Sequence, residues 1–387
     1  MAKQKWVITD VSRGIWVEQL TLTHDIAPAL PEGVTVNKRT LHGGRSEGVE
    51  IIELNNGRLR LVVLPTRGMG IWRAWCGDLE LGWKAPIRGP VHPRWVNLWE
   101  PSGLGWLDGF DELFVRCGLE SNGAPEFDDH GVLRYPLHGK IANLPASRVE
   151  IVADDETGEL SICGEVLESR LFFNKLKLST IISTLPNSCE FSVTDTVTNL
   201  AAVPGEMELL YHINFGRPLL EPGSRVILPI KRLAPRDAIA APEIDRWDSY
   251  GAETPGKPET VYFIQPLGDG KGFTQAVLHN ETGTRGVRVG FNVQELPYFT
   301  LWKNEQPTCD GYVTGLEPAV NFPNRRSFEK AKGRVITLQP GESRSFTVTV
   351  SALCSSDAVS SARSEILRLQ GSTAPEVLRE PWPEWSP

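Results

Sequence analysis

Three short segments of the 387-residue chain set a titratable side chain among glycine and proline neighbours. The first is Pro136-Leu137-His138-Gly139-Lys140. Histidine changes its charge near neutral pH, and the glycine after it lets another group approach the backbone closely. The second is Leu209-Leu210-Tyr211-His212-Ile213-Asn214-Phe215-Gly216. If this segment is a strand, Leu210, His212 and Asn214 share one face, because side chains alternate with period two. The third runs from Gly315-Leu316-Glu317-Pro318 to Asn321 and Asn324. Glu317 stands among apolar neighbours, where lost solvation raises a carboxyl pKa and suits the group to act as a general base. A histidine and such a glutamate could together give and take protons on one substrate. Taken singly, each segment also fits an ordinary role: a turn histidine, a hydrogen-bonded core pair, a strand-end glutamate. Six of the twelve tryptophans lie between Trp72 and Trp106. Indole offers a flat apolar wall and one donor, which suits a ring with polar edges as well as it suits core packing.

The elements that must hold these residues read as strands. From Cys189 to Val197 the odd positions are Cys, Phe, Val, Asp and Val, and the even ones are Glu, Ser, Thr and Thr. That is a half-buried strand. Leu176, Leu178 and Ile182 repeat the pattern, as do Phe346, Val348 and Val350. Asp155-Glu156-Thr157-Gly158 and Asn55-Asn56-Gly57 predict hairpin connections. Ser355 to Leu369 predicts a helix, with a serine cap and a stripe of Ala358, Ala362, Ile366 and Leu367. A short helix is predicted around Leu107 to Phe114. The tail from Gln370, with Pro375, Pro381, Pro383 and Pro387, predicts irregular structure. No fixed repeat and no linker stands out, so the expectation is one all-β domain over 1–387, a single large antiparallel sandwich.

Composition narrows the function classes. Lys and Arg number 40 against 48 Asp and Glu, a net charge of −8, which argues against nucleic acid or an anionic membrane as partner. No stretch approaches the roughly 20 apolar residues that span a bilayer. The start, Met1-Ala2-Lys3-Gln4-Lys5-Trp6, lacks the apolar run of a signal peptide. The six cysteines contain no Cys-x-x-Cys pair and read as thiols of a reducing compartment. A cytoplasmic protein, monomeric or homodimeric, is expected.

His138, His212 and Glu317 in this order, with Val63-Leu64-Pro65-Thr66-Arg67-Gly68-Met69 and with Cys117-Gly118-Leu119 ahead of Leu137-His138-Gly139, resemble the aldose 1-epimerase, or galactose mutarotase-like, family. The resemblance covers about Leu41 to Leu353, with a C-terminal helix and tail over 355–387. It implies a large antiparallel β-supersandwich with few short helices, and an isomerase that interconverts the anomers of a small carbohydrate without cofactor or metal. It implies Glu317 as base and His212 as acid. His138 would bind the sugar, with Arg67 or Arg116 as substrate arginine. Asn214 and Glu120 join the expected binding set. Tyr211 stands where the family has an asparagine, and Asp237, Asp245 and Asp248 compete for the family's hydroxyl-binding aspartate. Two other readings keep the fold. One is a metal-assisted sugar or sugar-acid isomerase or lyase using His130, His138, His212, Glu120 and Glu317. The other is a non-catalytic carbohydrate-binding module. A phosphorylated sugar would need a basic pocket, for which Arg325-Arg326 is the candidate.

Overall fold

The computed structural model describes residues 3–387. Two large, mostly antiparallel sheets, of ten and fourteen strands, pack face to face, with a two-stranded ribbon beside them. Their inner faces share one core, to which Val193, Val197 and Phe346 come from the ten-stranded sheet and Ile52, Leu61 and Leu209 from the other. The period-two expectation holds in detail. Along the strand Glu190–Asn199, the inward residues Phe191, Val193, Asp195 and Val197 are buried. Leu176, Leu178 and Ile182 do the same on Lys175–Thr184, and Phe346, Val348 and Val350 on Ser343–Leu353. Both predicted hairpin connections fall between paired strands. The sheets begin earlier than Leu41, because Gln4–Asp10 and Thr35–Thr40 are strands of the two sheets.

Two expectations are corrected. The predicted helix near Leu107 is a 3-10 turn over Gly105–Gly109, and Phe114–Leu119 is a strand. The C-terminal helix spans Ser356–Gln370 with Ser355 as cap, but its buried stripe is Val359, Ala362 and Ile366. Leu367 is exposed, since the helix packs only one face, against Val277 and Leu353. The tail is irregular as expected apart from Glu376–Val377, which pairs with Arg232 and Leu233, and it is anchored by Trp385, buried against Phe322. Among the described residues, no helix is long and apolar enough to cross a membrane.

The site depends on the centre of the fourteen-stranded sheet. There Thr260–Pro266, Tyr298–Asn304, Val313–Ala319, Gly205–Gly216 and Phe114–Leu119 lie side by side. On Gly205–Gly216, Met207, Leu209, Tyr211, Ile213 and Phe215 enter the core between the sheets. Leu210, His212 and Asn214 therefore face the other way. Leu210 joins Trp106, Phe110, Val115, Cys117 and Ala319 in a second cluster on that outer face.

A buried ion pair ties the sheets together behind this face. Arg116 donates to both oxygens of Asp195, at 3.0 Å for the Nη2 contact, and also to Thr180 Oγ1 at 2.7 Å and the carbonyl of Met69 at 2.9 Å. Arg116 belongs to one sheet, and Asp195 and Thr180 to the other. Both charges are buried, so removing one strands its partner without water. Arg116→Met should lower stability by about 3–5 kcal/mol, read as the shift of the urea midpoint at unchanged slope. A variant as stable as the parent would contradict the bracing role of this pair.

Candidate active site

The register puts His212 and Glu317 together. Asn214 pairs with Gly315 and Ile213 with Leu316, so the same register sets His212 opposite Glu317 on the outer face. His212 Nε2 lies 3.2 Å from Glu317 Oε1, and both side chains are buried. Gly315 makes the contact feasible. A Cβ there would stand 2.3 Å from Glu317 Oε1 and 3.0 Å from His212 Cε1. The small residue two positions before the glutamate therefore clears the space that the paired side chains occupy.

Hydrogen bonds define the protons. Asn214 Nδ2 donates to the carbonyls of Glu112 and His212, at 3.0 and 3.2 Å. Its Oδ1 then faces His212 Nδ1 at 2.6 Å, so Nδ1 carries the proton and Nε2 presents a lone pair. Burial pushes the His212 pKa well below its ordinary value, helped by the neighbouring His138. Burial pushes Glu317 well above the carboxylate range, with the Glu259 charge adding to it. Both trends favour the uncharged pair, with the proton on the carboxyl and a lone pair on Nε2.

His138 completes the cluster from a loop. Its backbone is left-handed, with φ at 56°. Its ring centroid is 5.5 Å from that of His212 and 4.6 Å from that of Trp106. His138 Nδ1 donates to the Asn122 carbonyl at 2.8 Å, which leaves Nε2 as an acceptor. Asn122 is itself anchored, since its N–H donates to Glu208 and its amide to Asn321. Burial lowers the His138 pKa to about 4. Gly139 is needed for a different reason than substrate access: a Cβ there would collide with the backbone of Gly118 and Ser121.

These groups line a cavity of about 260 Å³. Its walls are aromatic: Trp106, Phe110 and Trp302 surround His212 with ring centroids 5.0–6.2 Å away. Polar atoms without a hydrogen-bond partner in the protein lie among them, namely Trp106 Nε1, Thr300 Oγ1 and Glu317 Oε1, all buried. A buried orphan donor calls for a polar ligand or water. At one side Arg236 donates to Asp237 at 2.7 Å and to Glu259 at 3.0 Å, and Trp302 Nε1 donates to Glu259 at 2.7 Å.

The structure thus brings together His138, His212 and Glu317, and sets Asn214 directly behind His212. Other expected binding residues lie elsewhere. Arg67 is buried in bonds to Glu112 at 2.6 Å, Asn143 at 2.9 Å and the carbonyls of Val91 and Gly109. Arg116 serves the inter-sheet pair described above. Neither lines the cavity. Glu120 pairs with Lys140 at 2.6 Å in a separate cleft. His130 is exposed in a loop, so the proposed metal set is not assembled. Arg326 bonds Glu206 and the Glu120 carbonyl, also away from the cavity. Asp245 and Asp248 pair with Arg379 and Arg225, and Asp237 caps the turn at Ile239 and Ala240. Of the tryptophans from Trp72 to Trp106, Trp106 alone is a lining residue, while Trp95 and Trp99 are half exposed. Sequence reasoning missed Arg236, Glu259, Thr300 and Trp302. The strand pairing Thr300–Glu317 explains why Thr300 and Trp302 share the face of the glutamate, but no local motif marks them.

The fold is that of galactose mutarotase-like proteins. A galactose mutarotase-like protein from Clostridium acetobutylicum superposes with a TM-score of 0.55 over 83% of this chain and 98% of its own, at 14% identity. A protein from Klebsiella pneumoniae subsp. pneumoniae MGH 78578, described as a "putative aldose 1-epimerase", is far nearer. It superposes with a TM-score of 0.95 at 35% identity, over 98% of this chain and 99% of that one. The chain belongs to the family described as "Domain of unknown function (DUF4432)", whose match covers residues 46–352. No curated protein matches the chain.

A proton titration checks the electrostatics. The His138 ring should stay neutral through the physiological range and protonate only near pH 4, followed by NMR of its ring protons. A midpoint near 6.5 would mean that water reaches the imidazole freely.

Proposed function

We propose that the protein is an aldose 1-epimerase-like isomerase that interconverts the anomers of a free, uncharged monosaccharide in the His138–His212–Glu317 cavity. The single observation that carries this reading is the contact of His212 Nε2 with Glu317 Oε1, at 3.2 Å in an aromatic cavity. Mutarotation needs one base and one acid on the same ring. The reaction runs through the minor form of the pair, in which the one proton has moved from Glu317 to His212 Nε2; Glu317 then takes the proton from the anomeric hydroxyl as the carbonyl forms at the first carbon. The bond to the ring oxygen breaks, and that oxygen takes the proton held at His212 Nε2. Rotation about the bond between the first two carbons presents the other carbonyl face, and the steps reverse. Ring opening leaves a protonated glutamate and a neutral histidine. That is the protonation state that burial favours for this pair, so the cavity is matched to the open-chain intermediate.

The rest of the cavity fits the same substrate class. Its volume is below the roughly 300–1,000 Å³ of pockets for drug-sized ligands, which suits one sugar ring. Trp106, Phe110 and Trp302 offer apolar faces. His138 offers an acceptor, Trp106 Nε1 a donor and Thr300 a hydroxyl. Arg236 is held by two carboxylates, so its charge is already met and an anionic sugar gains little. That also weighs against a phosphorylated substrate. A binding module would need no shared-proton pair, which favours the catalytic reading.

Glu317→Gln keeps the volume of the side chain and deletes the base. It should slow anomer equilibration by on the order of 100-fold or more, roughly 3 kcal/mol of barrier. His212→Asn should cost a comparable amount, and the double variant less than the product of the two. Gly315→Ala keeps both groups but displaces them, and should cost on the order of 100-fold while keeping the unfolding transition cooperative. Arg67→Ala and Arg116→Ala should lose stability and not sugar affinity in whatever protein remains folded. The measurement is polarimetry of freshly dissolved aldoses, above the spontaneous rate. A Glu317→Gln protein as fast as the parent would show this glutamate to be structural.

A further inference from the structure

Away from the cavity, three cysteines far apart in sequence meet at one end of the sandwich. Cys76 ends the strand Gly70–Cys76 of the fourteen-stranded sheet. Cys189 precedes Glu190–Asn199 and Cys354 follows Ser343–Leu353, two neighbouring strands of the ten-stranded sheet. The Ala352 amide donates to the Cys189 carbonyl at 2.9 Å, which holds those two strand ends together. The three sulfurs all lie within 4.8 Å of one another, and Cys76 Sγ is 2.8 Å from Cys189 Sγ. Among the described residues this is the one group of three or more cysteine, histidine or acidic side chains with converging ligand atoms.

We infer that Cys76, Cys189 and Cys354 form a binding site for a thiophilic d¹⁰ metal ion such as zinc(II), which clamps the two sheets together at this end. The geometry suits such an ion. Zinc–sulfur bonds of about 2.3 Å around a tetrahedral centre set the sulfurs about 3.8 Å apart. The cluster reaches that spacing if the Cys76–Cys189 contact opens by about 1 Å, a side-chain rotation at strand ends. Access is graded: Cys76 is buried, Cys189 half-buried and Cys354 exposed, so an ion can enter from the Cys354 side and a fourth position stays open to solvent.

The charges balance as well. Arg58, exposed on the hairpin after Asn55-Asn56-Gly57, is the cation that acts on all three thiols. Its carbonyl accepts from the Gly77 amide at 3.0 Å, which fixes the hairpin beside Cys76. Three thiolates and one guanidinium carry −2 together, which a dication neutralises. Protonated thiols are poor nucleophiles, whereas a coordinating thiol gives up its proton outright. A plain Cys76–Cys189 disulfide would use two of the sulfurs, would need an oxidant, and would leave the approach of Cys354 without a reason.

The test uses the full chain, reduced and stripped of metal under anaerobic conditions. Zinc(II) is titrated against a chromophoric chelator, and cobalt(II) is added separately as a spectroscopic probe. The expected results are one equivalent of zinc per chain, a thiolate-to-cobalt charge-transfer band, and a thermal transition that rises with zinc. Cys354→Ser removes an exposed sulfur with little risk to folding. It should weaken zinc by more than the roughly 10–100-fold that loss of an outer contact costs, and Cys189→Ser should do the same. Cys309→Ser, at an exposed thiol outside the cluster, should change nothing. A reduced parent that takes up no stoichiometric zinc, or a Cys354→Ser and Cys189→Ser pair that binds as the parent does, overturns the inference.

Discussion

The organisation of the site follows from one buried contact between two side chains on neighbouring strands. His212 and Glu317 are out of water and within hydrogen-bond distance, and such a pair is stable only if a proton lies between them. Everything nearby serves that condition. Asn214 fixes the histidine tautomer from two residues along the same strand. Gly315 leaves room for the carboxylate and imidazole to meet. The aromatic rings of Trp106, Phe110 and Trp302 lower the local dielectric, which makes separated charges costly and keeps the pair neutral. The pair can then act as one acid and one base with no change in total charge.

That condition in turn needs a rigid frame. The face that carries the pair is the outer face of a sheet whose inner face is sealed against a second sheet. The frame is braced by two buried arginines, Arg116 to Asp195 across the sheets and Arg67 to Glu112 under the loops that roof the cavity. Glu112 also lends its carbonyl to Asn214. The Arg67 brace therefore reaches the His212 tautomer through two residues, although the arginine itself stays out of the cavity.

Much of this was legible in the sequence, for physical reasons. Half-buried strands must alternate, so Phe191, Val193 and Val197 announced their strand, and the same rule set His212 and Asn214 on one face. The histidines and glutamate stood out because a titratable group beside glycine or proline is locally unusual. Residue type alone misled at Arg67 and Arg116. An arginine that meets a buried carboxylate and one that meets a ligand look alike until the carboxylate is found, and Glu112 and Asp195 lie 45 and 79 positions away. The Arg236–Glu259–Trp302 network joins one strand to residues just beyond the ends of two others and has no local pattern at all. The C-terminal stripe failed at Leu367 because helical period says which residues are neighbours, not how wide a face the sheet covers.

The claim beneath all of this is that the buried pair is neutral, with its one shared proton on Glu317 and a bare lone pair on His212 Nε2. Nitrogen-15 NMR of the histidine-labelled protein at neutral pH reads this directly. The account predicts a His212 ring with a protonated Nδ1 and an unprotonated, hydrogen-bond-accepting Nε2, lost to an unperturbed neutral ring in Glu317→Gln only in the strength of that accepted bond. A doubly protonated His212 imidazolium in the parent would contradict it, since Glu317 would then be a carboxylate and the cavity an ion pair.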